Sequence, residues 1–208
     1  MKPTSPARGA ESVPAAVRSR IRAGAITGPT AGLAPGYAQA NLVVLPSAWA
    51  AEFAEFCRRN DRPCPLLEQT APGDACPRQV APEADLRQDV PRYRVFRRGQ
   101  AEAAEPTDIR GLWRDDFVAF LLGCSFTFET ALVEAGLPVR HLAEGRNVPM
   151  YATNVACQPA GRFAGPLVVS MRPFAPELVA RAIAITAEFP TMHGAPVHVG
   201  DPAALGIA

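Results

Sequence analysis

Short runs of β-branched and other apolar residues, bounded by glycine or proline, recur along this chain and predict short buried strands. The predicted strands cover residues 42–45, 66–67, 93–96, 148–155, 167–171 and 197–199. The run at 42–45 stops at Pro46. Residues 72–91 are rich in proline and charge, which indicates a long surface loop.

Apolar residues at helical spacing predict helices at residues 12–24, 47–60, 113–136 and 176–189. Ser12 and Ser47 stand where helix N-caps are expected, and Gly24 closes the first helix. The third helix is interrupted at residues 123–125, so we predict two helices, or one broken helix, with Ser125 as a cap. A broken helix exposes N–H groups that suit an anion such as a carboxylate.

These elements predict an α/β protein of two lobes with mixed sheets and helices. The first lobe is expected at residues 1–112 and the second at residues 113–208. The order strand, strand, helix, strand between residues 151 and 199 predicts a two-layer α/β sandwich in the second lobe.

Composition narrows the class of protein but not its activity. The chain has 208 residues, enough to bury a core, and its net charge of +1 gives no reason to expect nucleic acid or a membrane surface as partner. Its apolar runs are too short to span a bilayer, and its first residues lack the apolar core of a secretory signal. Five cysteines without a CxxC pair favour reduced thiols, so we expect a cytoplasmic protein.

Polar residues of chemical use stand at the ends of the C-terminal apolar runs, where α/β proteins place ligand contacts. They are Asn154, Arg172, His193, His198 and Asp201. Arg172 could clamp a carboxylate or pair with a nearby acid, and Asn154 could satisfy a bend. The five-residue spacing of the two histidines puts them on opposite faces of a strand, against a shared metal site. A histidine oriented by Asp201 stays open as an acid–base pair.

Two further polar clusters lie upstream. Gln39 and Asn41 lead into the strand at 42–45 and either line a substrate site or tie down a loop. The segment GCSFTFE offers Cys124, Ser125 and Glu129 within two helical turns. Cys124 fits a buried apolar position as well as a nucleophile, and Glu129 fits a surface helix position as well as a proton-transfer role.

Standard catalytic signatures are missing from the sequence. It contains no GxGxxG after a strand, no P-loop, no HExxH and no GxSxG elbow. Nucleotide chemistry and a serine hydrolase are therefore disfavoured.

Five motifs resemble the bacterial hydro-lyase family whose domain also occurs in D-glutamate cyclase. They are GPTAGLAPGYAQANLVVLP, LRQDVPRYRVFRRG, FLLGCSFTFETAL, NVPMYATNVACQPAGRFAGPLVVSMRP and FPTMHGAPVHVGDPAALGI. The resemblance covers nearly the whole chain in order. It implies a two-lobed α/β lyase that eliminates water, and in the cyclase D-glutamate loses water to give 5-oxo-D-proline.

The resemblance also implies a further C-terminal segment in relatives, after the point where this chain ends at Ala208. That segment is expected to complete the first lobe. We therefore expect apolar surface exposed near residues 42–45 and a chain less stable than an extended one. A homodimer could cover the same surface.

Two functions follow as hypotheses. The first is a hydro-lyase acting on a small amino or carboxylic acid, most concretely D-glutamate. In it Arg172 binds the α-carboxylate, the turn at 123–125 or Asn154 holds the reacting carboxyl group, and His193 or Glu129 moves protons. The reaction needs no cofactor, although a divalent metal bound by the carboxylates stays an open alternative. The alternative is a non-catalytic module that binds an amino acid or oxoproline and regulates a partner enzyme.

Overall fold

The computed structural model describes residues 13–207, which form an α/β fold of helices and small antiparallel sheets, as the sequence predicts. The helices are α1 (Val13–Arg22), α2 (Ser47–Arg59), α3 (Phe126–Glu134), α4 (Arg140–Ala143) and α5 (Pro176–Ala187). The strands are β1 (Ala40–Pro46), β2 (Leu66–Gln69), β3 (Phe96–Arg97), β4 (Gln100–Ala101), β5 (Phe117–Gly123), β6 (Met150–Ala156) and β7 (Pro166–Ser170).

The largest sheet has the order β1–β5–β2, and both pairings are antiparallel. The register of β1 on β5 runs from Ala40 opposite Gly123 to Pro46 opposite Phe117. β5 is the central strand, so both of its edges are paired, and both of its faces are covered as well. Phe120 and Val118 pack against α2, while Ala119 lies on the other face in a cluster with Leu86.

The predicted helix at residues 113–136 is therefore wrong over its first half. Residues 117–123 form β5, and only Phe126–Glu134 is helical. The run FVAFLLG is apolar at nearly every position because β5 is buried on both faces, and such a run satisfies a helical stripe as well. The interruption at residues 123–125 is a strand-to-helix turn, which still places the start of α3 next to a sheet end.

Two apolar clusters surround this turn. The first packs α2 on the sheet, with the rings of Phe53 and Phe120 in edge contact at 4.8 Å between centroids. The second joins α3 to α5 and to the 3-10 turn Pro190–Met192, through Phe128, Leu132 and Met192. Residues 123–125 and 190–193 are therefore held close together by packing on both sides.

Most other predicted elements are confirmed, with shifts at their ends. Strands occur at 40–46, 66–69, 150–156 and 166–170, helices at 13–22, 47–59 and 176–187. Pro46 rather than Ser47 occupies the N-cap of α2, and Ser12 lies outside the described residues. Of the strand predicted at 93–96, only Phe96 pairs, in the β3–β4 ribbon.

The strand predicted at residues 197–199 does not form. The side chains of Val197 and Val199 are 48% and 52% exposed, so this run is not a core segment. Pro196 removes a backbone donor, and Gly200 adopts a φ of 110°, so the run is too short to pair with a neighbouring strand.

The two predicted lobes share a sheet. Strand β5 belongs to the predicted second lobe, yet it pairs with β1 and β2 of the first. The antiparallel hairpin β6–β7 forms a separate sheet. In residues 13–207 no helix has both the length and the apolar character needed to cross a membrane.

Candidate active site

A cavity of about 2730 Å³ opens beside β1, β7 and the segment at 193–200. It is larger than the roughly 300–1,000 Å³ that holds a small ligand. Seven of the ten candidate residues line it, namely Gln39, Asn41, Cys124, Ser125, Arg172, His193 and His198. Glu129, Asn154 and Asp201 do not.

One wall of the cavity is apolar. Residues 42–45 of β1 border it and are only partly buried. Val168, on β7, also lines the cavity and is largely exposed. Three of the polar candidates, Cys124, Ser125 and Arg172, line the cavity just after β5 and β7 end.

Arg172 is the centre of the polar part. Its Nη2 donates to Ser125 Oγ at 3.0 Å, and its Nη1 donates to Ser170 Oγ at 2.9 Å. Nε donates to Glu129 Oε1 at 3.2 Å, and Nη2 contacts the same oxygen. The guanidinium carbon lies 5.0 Å from the centre of the Phe128 ring, in a cation–π arrangement.

These contacts change how Arg172 can meet a ligand. A guanidinium has five N–H donors, and its Nε–Nη2 edge forms the usual bidentate fork. Glu129 occupies that edge. A ligand carboxylate would therefore reach Arg172 through Nη1, as a single contact rather than the clamp suggested by the sequence.

Glu129 lies in the first turn of α3 and is only 1% exposed, so the surface position considered for it is wrong. Beside Arg172, its neighbour is His141 of α4, whose Nε2 is 2.9 Å from Oε1. The two atoms lie within ion-pair distance, but His141 Nε2 makes no hydrogen bond to the described residues. Oε2 is buried and has no hydrogen-bond partner among the described residues.

Sequence reasoning missed His141 altogether. It is the first of the three histidines along the chain, and it stands in the segment LPVRHLA without a neighbouring polar motif. The only signal for it in the sequence was that the chain contains few histidines. The structure shows that a buried carboxylate is flanked by a guanidinium and an imidazole, as desolvated carboxylates require.

His193 lies close to the turn at 123–125. It follows the 3-10 turn Pro190–Met192 and adopts a positive φ of 77°. Its Nδ1 lies 2.8 Å from the carbonyl oxygen of Arg62. Burial lowers the pKa of His193, the charge of Arg172 adds to this effect, and the carbonyls of Arg62 and Gly123 oppose it.

The ring of His193 is thus kept neutral near pH 7. With Nδ1–H donating to the carbonyl of Arg62, the lone pair lies on Nε2, which makes this nitrogen a potential proton acceptor. His198 lines the cavity too and is half-buried, and its Nε2 lies 2.8 Å from the backbone carbonyl of Asp201.

Gly123 explains why His193 lies so near the end of β5. A Cβ at this position would lie 2.1 Å from the carbonyl oxygen of Thr191, so only glycine permits this approach. The amides of Gly123 and Cys124 are engaged by the carbonyls of Pro65 and Gln39. The turn therefore offers a ligand the positive end of α3 rather than these two N–H groups.

The contacts of Cys124 and Gln39 indicate structural roles for both residues. Burial raises the pKa of the Cys124 thiol, which leaves it protonated and a poor nucleophile, while Asn41 donates a hydrogen bond to it. The Gln39 amide accepts from Thr30 Oγ1 at 2.7 Å and donates to the Leu33 carbonyl at 3.1 Å. Gln39 thus ties down the loop before β1.

The remaining candidates lie apart from this group. Asn154 is exposed on β6 and packs next to Gly206, so the prediction that it lines the same pocket is wrong. The Asp201 carboxylate accepts from the Ala203 amide at 3.0 Å and caps a 3-10 turn. Within residues 13–207, no three His, Cys, Asp or Glu side chains are grouped as metal ligands.

Comparison with known proteins finds a family model and relatives that match this chain. The family model for D-glutamate cyclase matches residues 118–208, which contain β5, α3, Arg172 and His193. A Rubrobacter xylanophilus protein named "Putative hydro-lyase" is 64% identical over 193 residues, which are 93% of this chain and 74% of the relative. A Stutzerimonas stutzeri protein of the same name is 59% identical over 195 residues, which are 94% of this chain and 73% of the relative.

Identity at this level covers more than nine tenths of this chain and nearly three quarters of each relative. On this ground the chain belongs to the bacterial hydro-lyase family that contains the D-glutamate cyclase domain.

Proposed function

We propose that this chain eliminates water from a small amino or carboxylic acid, most concretely by cyclising D-glutamate to 5-oxo-D-proline. The observation that carries the proposal is the convergence of Arg172, Ser125 and His193 on one cavity wall. Family membership supports the class of reaction, and the description of the family model supports the substrate.

The reaction is an internal condensation. The amine nitrogen of D-glutamate forms a bond to its side-chain carboxyl carbon, and one carbon–oxygen bond of that carboxyl group breaks. The departing oxygen takes two protons from the ammonium group and leaves as water, so that one proton remains on the ring amide. The site must bind the α-carboxylate, deprotonate the amine and stabilise the oxyanion.

Arg172 supplies the positive charge for this chemistry. Its Nη1 side would bind the α-carboxylate, and the positive end of α3 would face the oxyanion. Ser125 and Ser170 fix the guanidinium through their hydroxyl oxygens. The carboxylate of Glu129 is buried behind Arg172, so in this proposal it balances charge instead of touching the substrate.

His193 is the proposed base. A neutral imidazole with Nδ1–H held by the Arg62 carbonyl presents Nε2 for a proton. The lowered pKa keeps it in the accepting form at neutral pH. It would take a proton from the ammonium group and return it to the departing oxygen. This reaction requires no cofactor.

The experiment is incubation of the chain with D-glutamate or L-glutamate, followed by chiral chromatography of 5-oxoproline. We expect 5-oxo-D-proline from D-glutamate above the protein-free control, and much less from His193→Gln. Product at the protein-free rate would refute the proposal. If calorimetry then showed that D-glutamate binds without turnover, the non-catalytic binding module would be the better account.

A further inference from the structure

Three buried ionisable side chains lie in a row behind the cavity wall. Arg172 lines the cavity, Glu129 lies behind it, and His141 lies behind Glu129. Arg172 and His141 both contact Oε1 of Glu129. Their side chains are 11%, 1% and 6% exposed, respectively.

Glu129 needs both neighbours because water does not reach it. An ionised carboxylate without a partner is strongly destabilising in a protein interior. Among residues 13–207, Arg172 is the one permanently charged cation within ion-pair distance of Glu129, so the carboxylate holds the guanidinium tightly in place. His141 contacts the same oxygen, Oε1, so Arg172 and His141 together restrict the rotation of the carboxylate.

We propose that Glu129 and His141 are positioning residues that fix how Arg172 presents its charge to the cavity. By occupying the Nε–Nη2 edge, Glu129 leaves Nη1 for the ligand, and His141 keeps Glu129 in this orientation. The role of Arg172 in binding a substrate carboxylate rests on the proposed function. The orientation itself does not, and it can be tested alone.

A direct test is chemical labelling of arginine by phenylglyoxal, read residue by residue with mass spectrometry. Arg162 is a matched internal control, because it also pairs with a glutamate, Glu52, and stacks on an aromatic ring, Trp49. His141→Leu removes the imidazole contact. His141→Gln restores an N–H donor near the same position, since the glutamine amide nitrogen reaches about as far as Nε2.

We expect His141→Leu to raise the labelling rate of Arg172 by roughly tenfold, the factor for one lost contact to a charged group. Arg162 should keep its wild-type rate, and His141→Gln should return Arg172 toward protection. Glu129→Gln should expose Arg172 in the same way. Unchanged labelling of Arg172 in folded His141→Leu would overturn the proposal. So would a parallel rise at Arg162 in both His141 variants, which would indicate general loosening.

Kinetics add a second readout. In His141→Leu we expect KM for D-glutamate to rise while kcat changes little, because the base His193 is untouched, and His141→Gln should recover KM. A fall in kcat alone would contradict a positioning role. If wild-type protein forms no product but the labelling pattern holds, the proposed function fails while the positioning of Arg172 stands.

Discussion

Arg172 Nη2 lies 3.0 Å from Ser125 Oγ, and this hydrogen bond joins the segment after β7 to the N-cap of α3. The two residues are 47 positions apart in sequence. The contact brings together the ends of two separate apolar runs. It places a cation at the positive end of a helix, an arrangement that needs a compensating carboxylate, which Glu129 provides.

Removing the guanidinium should therefore destabilise the fold strongly. In Arg172→Gln the buried Glu129 loses its cation, and we expect a loss of about 3–5 kcal/mol in the free energy of unfolding. The control Arg162→Gln breaks an exposed pair of the same type and should leave stability nearly unchanged. Urea unfolding at neutral pH measures the free energy of unfolding of both variants. Equal losses in the two variants would show that burial does not distinguish the pairs.

The depressed pKa of His193 predicts a dependence of stability on pH. Its ordinary value is 6.5, and burial lowers it in the folded chain. As the pH falls below about 6.5, the histidine of the unfolded chain becomes protonated while that of the folded chain stays neutral. The free energy of unfolding therefore decreases from about pH 6.5 down to the lowered pKa of the folded chain. His193→Gln should show a smaller loss than wild type between about pH 7.5 and 5.5. Identical losses in urea unfolding would contradict the assignment. His198→Gln, which removes the other histidine of the cavity, serves as the control.

Gly123 should tolerate no side chain. Gly123→Ala would drive a methyl group into the Thr191 carbonyl, and we expect a loss of about 1–3 kcal/mol by analogy with overpacked cores. Gly165→Ala is the matched control, since nothing lies within 4 Å of its added Cβ. Thermal melting of both variants gives the comparison. A melting temperature for Gly123→Ala equal to that of Gly165→Ala would mean that residues 123 and 191 are not in contact.

The thiols offer a test independent of the active site. All five cysteines are free, as predicted. A hydrogen bond from the Cys57 thiol lowers the pKa of Cys64, and the same bond, with burial, raises the pKa of Cys57. In native protein, iodoacetamide should modify Cys64 before Cys57 or Cys124. Peptide mass mapping measures the order of modification. Cys57→Ala should slow the reaction at Cys64. Equal rates at Cys57 and Cys64 in the unmutated protein would contradict the pairing.

Sequence reasoning located the elements that carry strong local signals. The run at residues 42–45 ends at Pro46, and the helix at 176–187 begins with proline, so both were predictable. Strand β5 was not, because a strand buried on both faces lacks the alternation that separates strand from helix. The prediction of a strand at residues 197–199 was wrong for the opposite reason. The β-branched residues suggested a strand, but no neighbouring strand pairs with this segment.

The residues of the candidate site also divide into those that the sequence could predict and those that it could not. Arg172, Ser125 and His193 stand at the ends of apolar runs or beside a glycine, and this position was enough to group them. The pairing of Glu129 with His141 depends on how α4 packs against α3, which no short-range pattern encodes. Asn154 matched the same sequence criterion as Arg172, but the irregular register of β6 leaves it exposed.

The most direct test of the central claim is a crystal structure of the chain grown with D-glutamate. The account predicts ligand density in the cavity, with one carboxylate within about 3.2 Å of Arg172 Nη1 and the amine turned toward His193 Nε2. Ligand bound only at a distant surface, or a cavity empty of ligand at saturating D-glutamate, would contradict it.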